Sequence, residues 1–185
     1  MHHSNDQLVR AFPTALRDNA VLALSAFPEN SHPSSTFSVC VADDVVALPY
    51  RIYHDPALID TALLTSLQNE LVDCLLTRHQ DGFVRQERLT RIIAGNHIWT
   101  PPFVVQLVGE SIVEIVRVVH QNLGNLDSSI YGQFLRMNPK FLALTEQRVI
   151  SYWNCYYRNH GRDERNEYAG FQVLQFFKAL VGDRR

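Results

Sequence analysis

The sequence predicts a mainly α, single-domain protein: an antiparallel helical bundle with one small β-hairpin near its N-terminus. Three observations predict it. A capping residue followed by proline recurs at Asp55-Pro56, Thr100-Pro101 and Asn138-Pro139, and each pair is the signature of a sharp helix start. From Asp55 onward the apolar residues recur at helical spacing, whereas only residues 36–53 alternate with the period of a strand. The 185 residues, 46% of them hydrophobic, suffice for one buried core spanning residues 1–185.

The elements follow in order. Residues 1–35 read as N-terminal helices and a loop. A weak helix over Asn5 to Phe27 is interrupted at Pro13, with Thr14 as cap of its second piece, and the turn formers PENSHPSS make residues 28–35 a loop. His2 and His3 are too few for an affinity tag. Over residues 36–53, Phe37, Val39 and Val41 share one face, Asp43-Asp44 offers a turn, and Val46, Leu48, Tyr50 and Ile52 share the matching face. Pro49 limits this hairpin, since proline has no N–H for a central ladder. Such a hairpin needs helices or another chain to cover it.

Residues 55–181 form the helical core. A helix from Pro56 to about His79 carries Ile59, Leu63, Leu67, Leu71 and Leu75 four apart. Asp81 caps the next, with Phe83, Val84, Leu89, Ile92 and Ile93 apolar and Gly95 as its stop. Thr100 to Leu123, TPPFVVQLVGESIVEIVRVVHQNL, reads as one long helix. Its polar residues Gln106, Glu110, Glu114, Arg117 and Gln121 share one stripe, so the helix is expected to be buried on its other sides. It is expected to be enclosed by the helices starting at Pro56, Gly82 and Pro139. Asp127 caps a short helix with Ile130, Phe134 and Leu135 inward; Asn138-Pro139 opens a long helix to about Arg158. A charged loop, NHGRDERNE, spans 159–167, and Tyr168 to Val181 closes the chain.

Composition excludes several function classes. A net charge of −2 supplies no field for nucleic acid or anionic membrane. Glu110, Glu114 and Arg117 disqualify the central stretch as a membrane span. No signal peptide is expected, because Asp6, Arg10, Arg17 and Asp18 interrupt the first thirty residues. Cys40, Cys74 and Cys155 are scattered and odd in number, which points to a reducing cytoplasm and to small apolar packing residues. Nucleophile arrangements, glycine-rich phosphate loops and zinc patterns are missing from the sequence, so no cofactor is expected.

In DGFVRQERLTRII an aspartate opens a helix, and Val84-Arg85 follows. With PPFVVQLV in the following helix, residues 81–120 resemble a HEAT-type helical repeat unit. The resemblance implies stacked antiparallel helix pairs and a protein-binding surface rather than a catalytic pocket.

Four clusters are candidate sites. His79, Asp81 and Arg85 lie close in sequence, as an acid–base or anion site requires; the same types suit a helix junction, basic at one helix end and an aspartate cap on the next. Glu110 and Glu114, four apart on one helix, could share a metal or a proton, or form an exposed stripe with Arg117 neutralising Glu114. His54-Asp55 is similar to the adjacent pair of HD-type metal phosphohydrolases, yet Pro56 directly after makes Asp55 a cap. Tyr152, Trp153, Tyr156 and Tyr157, followed by Arg158, His160, Arg162 and Arg165, combine the residue types of interfaces. On a helix Trp153 and Tyr157 share one face and Tyr152 and Tyr156 another, so one pair is expected inward and the other partly exposed.

The expected function is therefore a cytoplasmic interaction or structural module that binds a protein partner or itself. The alternative is an enzyme or a small-ligand or metal binder with a pocket between helices, around Glu110, Glu114, His79, Asp81 and Arg85.

Overall fold

The computed structural model describes residues 5–28, 35–158 and 167–182. The fold is mainly α with one two-stranded antiparallel hairpin near the N-terminus. The chain divides into two compact units, Met1–Ile92 and Ile93–Arg185. The expected readings of His2 and His3, of most of the 28–35 loop and of most of the 159–167 loop fall outside the described residues.

The first unit begins with α1 (Asn5–Val9) and α2 (Arg17–Leu24), separated at Pro13 as its missing N–H requires. Thr14 does not cap α2. Its amide and hydroxyl instead bind the Asp44 carboxylate at 2.8 and 3.1 Å, tying this segment to the hairpin. Strands β1 (Thr36–Val41) and β2 (Asp44–Pro49) pair with Val39 opposite Val46 and Phe37 opposite Leu48. Val39, Val41, Val46 and Leu48 are buried, as the period-two pattern dictates. The turn is Ala42-Asp43, one residue earlier than expected, and Ala42 has φ 52°. A positive φ at the first turn position alone is the II′ geometry that matches strand twist.

The helix expected from Pro56 is the first correction. Asp55 does cap, accepting from the Ala57 amide at 3.0 Å, but only a single 3-10 turn over Pro56–Leu58 follows. The helix proper, α3 (Ser66–Leu76), starts ten residues later at Thr65. There the Thr65 hydroxyl accepts from the Gln68 amide and the Gln68 side chain accepts from the Thr65 amide, a reciprocal capping box. In consequence Leu63 lies outside any helix and is 95% exposed. Helix α4 (Gly82–Ile92) begins at Asp81 as expected, with Asp81 accepting from the Phe83 amide. Phe83 itself points to solvent, 85% exposed. The Asp73–Arg88 ion pair at 2.8 Å links α3 to α4.

The second unit holds the other correction. The stretch 100–123 is not one helix. It forms α5 (Pro101–Val108) and α6 (Val113–Gln121), with a corner between them. Glycine is a poor helix residue, and a Cβ on Gly109 would lie 3.1 Å from Cδ of Arg148. The corner therefore sits where the bare backbone lets Arg148 cross. Ile112 is extended (φ −89°, ψ 104°) and turns the chain into α6. Thr100 has helical backbone angles and makes no capping hydrogen bond through its side chain, against expectation. All eight residues of α5 are buried; α6, α7 (Ser128–Met137) and α8 (Pro139–Tyr156) pack on it. Of the three helices expected to enclose it, only the one starting at Pro139 belongs to the same unit. Asp127 caps α7 through the amides of Ser129 and Ile130. Helix α9 (Ala169–Gly182) packs on α6, α7 and α8, burying Val173, Leu174 and Phe177.

The helix pair implied by the HEAT resemblance is not formed as a pair of continuous helices. Its second member is broken at Gly109, and α4 and α5 belong to different units.

Candidate functional site

His79, Asp81 and Arg85 come together at the turn joining α3 and α4. The turn is tied to the chain leaving the hairpin: the Ile52 amide donates to the Arg78 carbonyl at 2.9 Å, and the Gln80 amide donates to the Ile52 carbonyl at 3.0 Å. Around this two-bond bridge the polar side chains are buried. His54 is 4% exposed, Arg78 0%, His79 5% and Arg85 4%. The Arg78 guanidinium donates to the carbonyls of Pro49 (3.2 Å) and Tyr50 (2.8 Å), where the hairpin ladder has run out of strand donors. Arg85 donates through Nη1 to the carbonyls of His79 and Gln80, both at 2.8 Å. Asp81 caps α4. The imidazole Nε2 of His79 lies 3.0 Å from the His54 carbonyl, and its Nδ1 accepts from the Asp81 amide at 3.1 Å. Charge, cap and ring are thus occupied in holding backbone. Burial lowers the pKa of both His54 and His79, and His79 disfavours a proton on His54 as well.

His54-Asp55 divides by function as well. Asp55 is a cap, and Nε2 of His54 faces Oδ1 of Asn5 at 3.3 Å on α1. Among the described residues no group of three or more His, Cys, Asp or Glu side chains is arranged to hold a metal ion.

Glu110 and Glu114 do not share a helix face, because the corner separates them. Glu110 lies in the corner, 6% exposed, and is engaged with a partner. Glu114 stands exposed in the first turn of α6, where a carboxylate suits the helix dipole. The two glutamates belong to the second unit, whereas His79, Asp81 and Arg85 belong to the first.

At the aromatic end of α8, Trp153 and Tyr157 turn toward α9 but stay half-buried, as Tyr152 does, and Tyr156 meets Tyr157 edge to face at 6.4 Å. Trp153 meets Phe171 edge to face at 5.7 Å, and Tyr157 stacks on Tyr168 at 5.1 Å, both at the start of α9. The Tyr157 hydroxyl donates to the Ser111 carbonyl at 3.2 Å, bolting the end of α8 to the α5–α6 corner. Burial raises the Tyr157 pKa, and the nearby Glu114 carboxylate raises it further, so the phenol keeps its proton. On the other face Tyr152 and Tyr156 stack at 6.2 Å, and Tyr156 is 55% exposed. Arg158 follows, exposed. His160, Arg162 and Arg165 lie outside the described residues.

Two features of this region escaped sequence reasoning. The bond from Tyr157 to Ser111 depends on the corner, which the valine-rich pattern hides. Gly170 allows α9 to approach α8 so closely that a Cβ there would lie 2.6 Å from the Tyr168 ring and 2.9 Å from Val149. Its place beside Tyr168 in an aromatic-rich helix start was the available signal.

Cys74 is buried, and burial pushes its thiol pKa well above the ordinary value, so it behaves as an apolar residue. Among the described residues no helix is long and apolar enough to cross a membrane. Comparisons with protein-family models, curated proteins and solved structures find no match to this chain.

Proposed function

We propose that the chain is a cytoplasmic protein-interaction module that binds a protein partner or a second copy of itself through the aromatic end of α8. One observation carries the reading: Tyr152 and Tyr156 form a stacked pair on the outer face while Trp153 and Tyr157 on the inner face are locked to α9. A tyrosine pair ordered before binding loses little entropy when a partner covers it. Tyrosine, tryptophan and arginine, here ending in the exposed Arg158, are the types that dominate interface energetics. The net charge of −2 favours a protein over a nucleic acid. The cytoplasmic setting is supported by the three free cysteines.

The test is size-exclusion chromatography with light scattering on freshly purified protein, followed by native mass spectrometry of the same peak. The reading expects a dimer or a protein complex that the Tyr152→Ala/Tyr156→Ala double variant weakens at least tenfold while its far-UV circular dichroism stays unchanged. A monomer at all concentrations, or an assembly indifferent to the double variant, overturns it. A monomer carrying a metal or a small molecule points instead to a ligand-binding role.

A further inference from the structure

Two buried histidines flank the bridge between the hairpin exit and the α3–α4 turn, the His79 ring against the His54 carbonyl, and their surroundings specify one protonation state. A backbone carbonyl only accepts and a backbone amide only donates. His79 has the His54 carbonyl at Nε2 and the Asp81 amide at Nδ1. Its ring is therefore neutral with the hydrogen on Nε2. A second proton would place an N–H on Nδ1 against the N–H of Asp81, breaking that bond. His54 has Asn5 Oδ1 at Nε2, while its Nδ1 is buried with no partner. The Phe27 ring packs edge-on against it at 5.1 Å. A proton on Nδ1 would be a buried donor with nothing to accept it.

The groups facing His79 are of both signs. Burial and Arg85 oppose a charge on it, whereas the hydrogen bond to the His54 carbonyl and the carboxylates of Asp81 and Asp55 favour one. Burial is the largest influence on each ring and opposes the charge. The acidic neighbours are also committed elsewhere, Asp55 to Ala57 and Asp81 to Phe83.

We propose that His54 and His79 form an acid-released latch: neutral, they pin residues 52–55 to the α3–α4 turn and to α1; protonated, they let that segment go. The sign is set by linkage. The folded state lowers the pKa of both rings below the ordinary 6.5. The open segment therefore binds more protons than the closed one as pH falls below that value. The opening equilibrium rises by up to tenfold per pH unit for each proton, hence up to about a hundredfold for two. The closed state is fully favoured above pH 6.5. Opening uncovers Ile52, which is only 2% exposed when latched.

Hydrogen exchange measured residue by residue tests the latch, because the amides of Ile52 and Gln80 are the two bonds that cross it. After correction for intrinsic exchange rates, their protection is expected to fall at least tenfold between pH 7.0 and 5.5, while the α3 amides keep theirs. Equal protection at both pH values overturns the proposal. So does a loss shared equally by α3, which would be general acid unfolding. Nitrogen-15 spectra of the imidazoles provide a second readout that needs no variant: His79 must be neutral with its hydrogen on Nε2 at pH 6.5. A ring already charged at that pH overturns the latch as well. The His79→Gln variant keeps a donor and an acceptor but cannot titrate, and it should lose about half of the logarithmic pH dependence.

Discussion

The α3–α4 turn in the first unit and helix α5 in the second are equally dry, yet they are held by opposite means. Around the turn, His54, Arg78, His79 and Arg85 are buried, and three of them spend hydrogen bonds on backbone carbonyls. In α5 every residue is buried, and Gln106 is the one polar side chain among Pro101–Val108. The difference teaches what each region can tolerate. A hydrogen-bonded knot is specified atom by atom, since a carbonyl deprived of its donor keeps its full desolvation cost. An apolar helix is specified by volume, so another side chain of the same size serves nearly as well.

The largest effect that could break the comparison comes from matched replacements of similar size. Arg78→Met removes the donor to the buried Pro49 carbonyl, whereas the Tyr50 carbonyl keeps the Arg51 guanidinium at 2.8 Å. Replacing a buried ion pair by apolar groups can be neutral when both partners go, but here the Pro49 carbonyl is backbone and stays. The expected loss is about 2 kcal/mol in urea unfolding, from one stranded acceptor at about 1–3 kcal/mol. Leu107→Met, at a position 0% exposed in α5, should cost about 1 kcal/mol. Equal losses for the two variants would mean that the knot is no more demanding than the apolar helix.

Volume tolerance in the second unit has a boundary, and Gly170 marks it. An alanine Cβ there would sit 2.6 Å from Cε1 of Tyr168 and 2.9 Å from Cγ1 of Val149. One of these neighbours must move, and Tyr168 is stacked on Tyr157. Gly170→Ala should cost about 2 kcal/mol, as overpacking does, and should reduce the near-UV circular dichroism of the aromatic cluster. Gly182→Ala is the control, with nothing within 4 Å of its new methyl. A neutral Gly170→Ala would show that the α8–α9 contact has slack, and the ordered backing of the Tyr152–Tyr156 pair would lose its basis.

The same contrast explains what the sequence made legible. The aspartate caps were readable because one side chain and its near neighbours decide them: Asp55, Asp81 and Asp127 each accept from amides two or three residues ahead. Thr14, Thr100 and Asn138, expected as caps, make no capping bond to their helices. The direction of Trp153 and Tyr157 toward α9 was readable from spacing, but their half-burial was not. The start of α3 was legible in principle, through Thr65 and Gln68, but Asp55-Pro56 offered an earlier start that supports only one 3-10 turn. The α5–α6 corner was not legible. Its apolar pattern runs through the break, and what decides it is the distance from Gly109 to Arg148, 39 positions on. The knot was half legible: the residues of the turn were singled out, but the carbonyls of Pro49, Tyr50 and His54 that occupy them carry no residue-type signal.

The smallest effect sharpens the comparison from the side of the backbone. Besides its polar knot, the first unit holds Ala42 at φ 52°, a positive φ that costs a residue with a Cβ about 1 kcal/mol. Glycine adopts it freely, though it also gives the unfolded chain more freedom to lose. Ala42→Gly should therefore stabilise the protein by about 0.5 kcal/mol net, raising the melting temperature by about 1–2 °C. Asp43→Gly, next in the turn but without a positive φ, should destabilise by a similar amount, since there the entropy cost has no strain to offset it. The pair of opposite signs would show that the hairpin turn, like the knot below it, is fixed by local geometry. Two changes of the same sign would place the strain elsewhere in the hairpin.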